Sequence, residues 1–577
     1  MDQQSLIDSL PAHLRPFVAR QDYTAYTPRD HAVWRFIMHQ LAARLTETAH
    51  PVYREGLEKT GISLEHIPSI DEMNAALAQL GWAAVVVDGF IPPAIFMEFQ
   101  ARRILVIALD MRSHEHVLYT PAPDIVHESA GHAPFIVDID YAEFLQRFGE
   151  LGMRAIATQQ DHAVYEAIRA LSILKEDPAS TTAQTEQAEA ELSRRLADNT
   201  ELSEAALLSR LHWWTVEYGL VGELDDYRIF GAGLLSSLGE SVNCLDDEKV
   251  KKLPLTVDAV ATAYDITREQ PQLFVTKSCK HLSQVLEEFA ARMACSVGGG
   301  EGLDKAIASA SVCTAEYSSG LQVSGRFSRL LRDAVGNPTY LATSGPTALA
   351  LKERQLEGHG TQAHAEGFGS PIGKLKELPL CLSRYSVDEL KEAGIRIGAR
   401  CTLEFLSGIT VAGKLERITR EAHRNLLLSF SDCTVTAADG ETLFAPDWGR
   451  YDMAVGATID SVFGGPADRA RYQLYADQTP TPTPEREHDD GERALFAIYA
   501  DVRKMREAGR IDPQDLTHLH RRIPARFADD WLLRLELREL CPADTELRHT
   551  LDAELDALRG RDTETRQLID YGLAALR

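Results

Sequence analysis

The stretch YTPAPDIVHESAGHAP at residues 119–134 contains two histidines, His127 and His132, that lie five residues apart. On an ideal α-helix, a five-residue step turns a side chain about 140° past its starting direction. Both imidazoles therefore reach one ion most easily if the helix loosens between them. Gly131 is a natural place for this, because glycine tolerates backbone conformations that other residues resist. The spacing predicts a metal-binding pair, with two unrelated polar residues near a helix start as the alternative.

A zinc hydrolase is another function that such a pair could serve. The metalloprotease pattern is His-Glu-x-x-His, with both histidines on one helix face and the glutamate as the base. In this chain the order is His-Glu-x-x-x-His, which is one residue too long. The spacing disfavours the hydrolase, and two histidines still leave a catalytic metal short of ligands.

The segment LHWWTVEYGL at residues 211–220 supplies a candidate third ligand, Glu217. The apolar neighbours predict burial, and a buried carboxylate is costly unless it is paired or bound to a metal. Pairing with an arginine is the competing interpretation. Two histidines and one carboxylate on one side of an ion form the facial triad of non-haem iron(II) oxygenases, which leaves positions for oxygen and substrate. We therefore favour metal coordination by Glu217.

Composition excludes several other classes of function. The formal net charge of −26 over 577 residues argues against a broad nucleic-acid surface. The N-terminus lacks the basic flank and apolar run of a signal peptide, and no window predicts a membrane span. The eight cysteines are scattered singly, with no Cys-x-x-Cys pair. That distribution is typical of reduced thiols, so we expect a cytoplasmic protein that binds neither nucleic acid nor membrane.

Three segments carry a resemblance to the pterin-dependent aromatic amino acid hydroxylases. They are Tyr-Thr-Pro-x-Pro-Asp-Ile-x-His-Glu-x-x-Gly-His at 119–132, Trp-x-Thr-Val-Glu-Tyr-Gly-Leu at 213–220 and Gly-Ala-Gly-Leu-Leu-Ser-Ser-x-Gly-Glu at 231–240. The resemblance covers about residues 20 to 295 and is strongest to bacterial members acting on phenylalanine, followed by a long C-terminal extension. It implies a mainly α-helical catalytic domain with small strands around an iron ion.

The resemblance also implies a role for individual residues. The iron ligands would be His127, His132 and Glu217. The remaining positions match the substrate and cofactor residues of the family: Arg112 for the substrate carboxylate, Thr120, Gly233 and Ser236 near the amino acid backbone, Trp213 as a wall of the aromatic pocket, Phe96 stacked on the pterin, and Glu128 beside pterin and iron. A planar guanidinium such as that of Arg112 suits bidentate binding of a carboxylate.

The implied activity is hydroxylation of the ring of a free aromatic amino acid, with iron(II), a tetrahydropterin and O2. The apolar Val275 aligns where tyrosine hydroxylases place an acidic residue, so phenylalanine fits better than tyrosine. Tryptophan or tyrosine hydroxylation stays an alternative within the family. The alternative from another class is a binding or scaffold protein whose metal site is vestigial.

This chain departs from the family pattern in two places near the site. A polar stretch at 175–205 lengthens the gap between His132 and Glu217, and we expect it to form exposed helix and loop. His212 stands where an aromatic residue is common.

Further segments are predicted from composition and periodicity. They are an N-terminal arm at 1–20, the catalytic iron and pterin domain at 21–295, a mixed connecting region at 296–398, a small β-rich domain at 399–478, a linker at 479–490 and a helical module at 491–577. The helical module either packs on the catalytic domain or offers a surface for a protein partner or self-association. Independent domains would leave the residues after Cys295 unnecessary for activity.

His359, His364 and Glu366 repeat the five-residue histidine spacing in the second half of the chain. They lie among glycines and without an apolar helix. We interpret them as part of an ordinary loop.

Overall fold

The computed structural model describes residues 2–118, 124–176, 180–266, 268–480, 487–509 and 511–575. A mainly helical region reaches residue 309, strands dominate from 312 to 464, and C-terminal helices begin at 490. In the described ranges, no helix combines the length and the apolar character needed to cross a membrane.

The first region places short strands among helices and contains two π-helices, Val126–His132 and Trp213–Glu217. Its α-helices are α1 (Gln3–Ser9), α2 (Pro28–Thr48), α3 (Val52–Lys59), α4 (Ile70–Leu77), α5 (Pro93–Ala101), α6 (Ile139–Gly152), α7 (Gln159–Glu176), α8 (Thr182–Asp198), α9 (Glu204–His212), α10 (Ala232–Leu235), α11 (Glu240–Asn243), α12 (Cys279–Ala290), α13 (Ala294–Val297) and α14 (Gly299–Ser309). Its strands are β1 (Ala83–Val87), β2 (Ile104–Ala108), β3 (Leu220–Glu223), β4 (Asp226–Ile229), β5 (Lys251–Pro254) and β6 (Gln272–Thr276).

Helix α2 has a capped start and a long apolar stripe. The Thr27 side chain accepts from the Asp30 amide and the Asp30 side chain accepts from the Thr27 amide, which satisfies two free N–H groups. Pro28 occupies the first turn, where its missing N–H costs nothing. The stripe that includes Trp34 and Leu41 is fully buried. The sequence Tyr-Thr-Pro-Arg-Asp at 26–30 predicts such a capped helix start, and the structure confirms it.

Strands β1 and β2 form a parallel pair, with Ala83 opposite Ile104, and α5 connects them. Both are apolar runs, as expected for strands covered on two faces. After β2 the chain runs to Arg112, which lies beside the segment that carries His127. A second small sheet, in the order β4-β3-β6-β5, follows the second π-helix.

Glu98 of α5 is the centre of a buried ion cluster, with 1% of its side chain exposed. His13 Nε2 lies 2.9 Å from its Oε2, and Arg102 Nη2 donates to its Oε1 at 2.7 Å. Arg469, from the segment after residue 464, brings its Nε to 3.8 Å from Glu98 Oε2. Burial would raise the pKa of Glu98, but the hydrogen bond from His13 and the Arg469 charge lower it to about 2. The cluster ties the N-terminal arm to α5 and to a distant segment.

The strand-rich region contains two antiparallel sheets. Its elements are β7 (Val312–Tyr317), β8 (Leu321–Arg332), β9 (Pro338–Leu351), β10 (Arg354–Gln355), β11 (Gly369–Pro371), α15 (Val387–Glu392), β12 (Arg400–Glu404), β13 (Thr410–Glu421), β14 (Arg424–Thr436), β15 (Thr442–Phe444), β16 (Tyr451–Ala454), β17 (Ile459–Gly464) and α16 (Arg469–Tyr472). The first sheet has the order β10-β9-β8-β7-β17, with β11 on β9, and the second has the order β12-β13-β14-β15, with β16 on β14.

The boundary predicted between 398 and 399 does not separate these sheets. Strand β17, from the later segment, pairs with β7 of the earlier one, with Phe463 opposite Thr314. The segment at 296–398, expected to be a mixed connector, holds β7 to β11. The pair Asp439-Gly440 predicts a hairpin turn from the sequence, and it lies between β14 and β15, where Gly440 has a positive φ of 91°.

The C-terminal helices pack on the catalytic half. They are α17 (Asp490–Ala508), α18 (Pro513–Arg521), α19 (Trp531–Leu540), α20 (Glu546–Arg559) and α21 (Thr563–Ala575). Their buried side chains belong to the same hydrophobic core as α2. The Trp531 ring meets the Phe36 ring edge to face, 5.0 Å between centroids. Arg35 Nη2 donates to Glu539 Oε1 at 2.6 Å. A shared core opposes the expectation that residues after Cys295 are dispensable.

Candidate active site

His127 and His132 lie on the first π-helix, Val126–His132. A π-helix joins residues five apart by its hydrogen bonds, so side chains with this spacing lie on one side of the helix. The two rings are 5.0 Å apart between centroids and nearly perpendicular, at 86°. The loosening that the five-residue spacing required is therefore spread over the whole segment.

Gly131 allows this helix to lie directly against α10. A Cβ on Gly131 would come within 2.9 Å of the Ala232 carbonyl oxygen. Gly233, predicted to lie near the substrate backbone, is also buried, and a Cβ there would meet the Tyr218 ring at 2.9 Å. The structure thus gives both glycines a packing role beside the two π-helices.

Glu217 ends the second π-helix, Trp213–Glu217, and reaches both histidines. Its Oε2 lies 3.1 Å from His127 Nε2, and its Oε1 lies 3.4 Å from His132 Nε2. Two imidazole nitrogens and one carboxylate thus converge on one point. This donor set and spacing fit a divalent transition metal of the facial-triad type.

Ser236 determines which nitrogen of His127 is free. The Ser236 hydroxyl donates to the Ala232 carbonyl at 2.8 Å, and it lies 3.1 Å from His127 Nδ1. Because its proton is used, Ser236 Oγ accepts from His127 Nδ1–H, which leaves Nε2 as the lone-pair nitrogen facing Glu217. Support of this kind orients metal-binding histidines. The predicted substrate role of Ser236 is thus joined by a contact to a candidate ligand.

The pKa values of the two carboxylates of the site, Glu217 and Glu128, are shifted in opposite directions. Burial would raise the pKa of Glu217, but His132 and His127 hold it well below its usual range. Burial raises the pKa of Glu128 to about 8, opposed by His132 and supported by the Glu217 charge. Glu128 Oε2 lies 3.9 Å from His132 Nε2. Glu217 is therefore the ionised carboxylate of the site, and a bound cation would lower the pKa of Glu128 as well.

Arg112 lies beside the metal-binding group and forms a buried ion pair. Its Nε and Nη2 donate to Asp124 at 2.7 and 2.9 Å, and Nη1 donates to the Ser236 carbonyl at 3.2 Å. Burial would raise the pKa of Asp124, but the Arg112 charge and hydrogen bonds lower it. In the described part of the chain these contacts use three of the five guanidinium N–H groups. One N–H on each terminal nitrogen is left for a ligand carboxylate.

Trp213 lies in a stack of three aromatic rings. Its ring is parallel to that of Tyr264 at 4.3 Å and close to parallel with that of Tyr218 at 4.7 Å. The stack forms a flat apolar surface next to Glu217. Neither tyrosine was predicted, and nothing in the sequence around Tyr264 indicates this contact.

Phe96 and His212 meet on another side of Glu217. Phe96 is half-buried, and its ring lies edge to face with His212 at 6.2 Å. His212 Nδ1 lies 3.5 Å from Glu217 Oε1. Burial lowers the pKa of His212 to about 4, so its ring is neutral at ordinary pH. The unusual histidine is therefore a direct neighbour of the candidate ligands.

Thr120, predicted to lie near the amino acid backbone, is outside the described residues. Val275 is buried in β6, opposite Leu220 of β3 and Pro254 of β5. Asp124 is the main residue that sequence reasoning missed, although an acidic residue just before His127 was available as a partner for the buried Arg112.

The first half of the chain matches a known family. The family model for biopterin-dependent aromatic amino acid hydroxylases matches residues 18–174 and 188–297. The break at 175–187 falls in the polar stretch, where α8 has no buried residue. An exposed insertion was predicted at that place.

Several bacterial relatives match this half of the chain. The phenylalanine-4-hydroxylase of Pseudomonas aeruginosa is 30% identical over 277 residues, covering 47% of this chain and 88% of the relative. That of Ralstonia nicotianae is 29% identical over 272 residues, covering 47% and 73%. A crystal structure of Chromobacterium violaceum phenylalanine hydroxylase with bound oxidized Fe(III) covers 50% of this chain and 90% of its own, with 26% identity and a TM-score of 0.38. The chain belongs to the family of biopterin-dependent aromatic amino acid hydroxylases.

Proposed function

We propose that this chain hydroxylates the ring of free phenylalanine to give tyrosine, with iron(II), a tetrahydropterin and O2. The observation that carries the proposal is the convergence of His127, His132 and Glu217 on one point beside Arg112. Several relatives across the same region are named phenylalanine-4-hydroxylase. Bound iron with pterin and O2 supplies the oxidising power, one oxygen atom entering the ring and the other remaining with the two-electron donor.

The residues of the chain bind and orient the reactants in this proposal. His127, His132 and Glu217 hold the iron on one side, which leaves its other side open. Arg112 takes the carboxylate of the amino acid through its two free N–H groups, while Asp124 keeps the guanidinium plane fixed. The amino acid ring then lies toward the iron.

Aromatic side chains complete the proposed pocket and keep it dry. The Trp213 stack gives a flat wall for the substrate ring. Phe96 would offer its half-exposed ring to the pterin, and Glu128, whose Oε2 lies 3.9 Å from His132 Nε2, would lie beside the pterin and the iron. Gly233 and Thr120 would border the amino acid backbone, and Ser236 would do so while holding His127.

Phenylalanine is favoured over tyrosine because Val275 is apolar. A substrate whose hydroxyl is buried without a partner would bind more weakly, so an apolar residue at this position favours the ring that lacks a hydroxyl. The structure places Val275 in a strand, so the proposed effect reaches the pocket through the β3–β6 sheet rather than by a contact seen in the described chain.

The decisive test is an assay on the purified full chain. The protein is incubated with iron(II), a tetrahydropterin and O2, and with phenylalanine, tyrosine or tryptophan in separate reactions. Separation of the products should show tyrosine formed from phenylalanine at the highest rate. Absence of a hydroxylated product from all three amino acids would refute the proposal, and a higher rate with tryptophan would refute the choice of substrate.

The rest of the chain has a structural role in the proposal. Residues 312–464 would form one β-rich unit, because β17 completes the first sheet. The C-terminal helical module would support α2 through Trp531 and Arg35. Self-association through this module stays a prediction, which sedimentation of the full chain would test. A cytoplasmic location is proposed from the eight free cysteines.

A further inference from the structure

A second pair of histidines with the five-residue spacing lies in the strand-rich region, and the fold brings a carboxylate to it. His359 Nδ1 lies 3.2 Å from His364 Nε2. Asp452 Oδ2 lies 3.8 Å from His359 Nδ1 and 4.0 Å from His364 Nε2. Among the described residues, this trio and the group His127, Glu128 and His132 each bring three donor atoms within 4.8 Å of one another. The interpretation of His359 and His364 as an ordinary loop is therefore incomplete.

The three side chains stand on fixed backbone from both sheets. The loop between β10 and β11 is tied to β9, because the Leu349 amide donates to the His359 carbonyl at 2.9 Å and the Thr347 amide donates to the His364 carbonyl at 3.0 Å. Asp452 lies in β16 of the second sheet, opposite Ser429. Ser429 Oγ donates to Asp452 Oδ1 at 2.5 Å, which leaves Oδ2 directed at the histidines.

The trio is shielded from solvent. The side chains of His359, His364 and Asp452 are 1%, 9% and 4% exposed. Nitrogen and oxygen donors gathered in such a place are costly to bury unless they are paired or bound to a metal ion.

We propose that His359, His364 and Asp452 bind a divalent transition-metal ion, with zinc as the best fit. In a tetrahedral zinc site with bonds of about 2.0–2.2 Å, neighbouring donor atoms lie about 3.4 Å apart. The observed separations of 3.2, 3.8 and 4.0 Å are close to that value. Three protein ligands leave the fourth position for water or a small ligand.

Two arginines border the site and act differently. Arg450 Nη2 donates to Asp452 Oδ2 at 2.9 Å, as an outer partner of a ligating carboxylate does. The exposed Arg417 donates from Nη2 to His359 Nε2 at 2.7 Å. That bond places the His359 proton on Nδ1, the nitrogen that faces the metal position. Metal binding moves this proton to Nε2 and releases Arg417, so Arg417 competes with the ion.

The proposed ion would join the first sheet to the second. Its two histidine ligands come from the loop that follows β10, and its carboxylate comes from β16. Because the ion binds only where the sheets are correctly placed, its binding stabilises the folded strand-rich region.

The test counts zinc bound to the full chain after treatment with a chelator. Wild-type protein should bind two zinc ions, one at His127, His132 and Glu217 and one at the new site. His364→Ala and Asp452→Asn should each bind one. His423→Ala, which changes an exposed histidine of the same sheet region, should still bind two. Retention of one ion, together with an unchanged circular dichroism spectrum, shows that each variant is folded.

A second variant distinguishes a metal site from a group of side chains that only hydrogen-bond to one another. Arg417→Gln removes the charged donor that holds His359 Nε2, so the affinity of the second zinc ion should rise by about tenfold, as expected for the loss of one competing hydrogen bond. Zinc should also raise the Tm of a His132→Ala chain, whose first site is disabled, and should not raise that of His132→Ala combined with His364→Ala. The proposal is overturned if wild-type protein binds a single ion that His132→Ala removes, or if His364→Ala and Asp452→Asn both keep two.

Discussion

Replacement of Ser236 by alanine tests how the candidate metal site is held together. The Ser236 hydroxyl accepts from His127 Nδ1–H at 3.1 Å and donates to the Ala232 carbonyl at 2.8 Å. Alanine keeps the backbone of α10 but removes this acceptor. The His127 N–H then has no partner in a site where Ser236 is 3% exposed. The ring is also free to turn its protonated nitrogen toward Glu217, which would exclude a metal there.

The size of the effect follows from this single lost contact. Loss of an outer hydrogen bond to a metal-binding histidine lowers metal affinity by about 10- to 100-fold, or about 1.4–2.7 kcal/mol. Iron(II) titration of chelator-treated Ser236→Ala, with a competing chelator as indicator, measures the change. Ser237→Ala is the matched control, because the Ser237 hydroxyl accepts from the Glu240 amide and not from His127.

The same variant separates two interpretations of Ser236. If the residue acts through His127, the Kd for iron rises while KM for phenylalanine at saturating iron changes little. If it acts by contact with the amino acid, KM rises and the iron Kd stays at the wild-type value. The second pattern would refute our reasoning about the His127 tautomer.

Three further predictions test packing and charge. Gly131→Ala should cost about 1–3 kcal/mol in urea unfolding because its Cβ would meet the Ala232 oxygen, whereas Gly239→Ala, whose nearest atom is 3.6 Å away, should be nearly neutral; equal costs would contradict this. The lowered pKa of Glu98 contributes about 3 kcal/mol to the free energy of unfolding above pH 4.5, and this contribution is lost as the pH falls toward 2. The free energy of unfolding of Glu98→Gln should therefore depend less on pH between 4.5 and 2 than that of the wild type. The same pH dependence in both proteins would refute the role of Glu98. Trp531→Ala should cost about 3–5 kcal/mol, and a cost below 1 kcal/mol would show that α19 does not share the α2 core.

Local elements were predicted well where the sequence carries its own start and stop signals. The apolar runs at 83–87 and 104–108 predict short strands and are β1 and β2, and Thr27 caps α2 as its sequence predicts. The histidine spacing indicated that the regular helix had to loosen, although a π-helix was not foreseen. These features depend on neighbours a few residues apart, which a single sequence displays directly.

Long-range pairing could not be predicted in the same way. Strand β17 joins β7 across the whole second sheet, and no periodicity in either strand identifies its partner. The sequence shows apolar stripes at 495–505 and 551–558, which are in α17 and α20, but a stripe does not specify the surface that it covers. The ion pairs of Arg35 with Glu536 and Glu539 show that the C-terminal helices lie on α2. The C-terminal helices therefore share a core with α2, and the dispensability of the residues after Cys295 for activity stays a prediction.

The two five-residue histidine pairs show what spacing alone leaves open. His127 and His132 converge because a π-helix places both on one side. His359 and His364 converge without a helix, because β9 holds the carbonyls of both residues in a loop. In each case the third donor, Glu217 or Asp452, comes from a distant segment that the fold supplies. A helix requirement is therefore too strict for recognising such pairs, since any backbone that holds both residues firmly and brings a carboxylate to them serves as well.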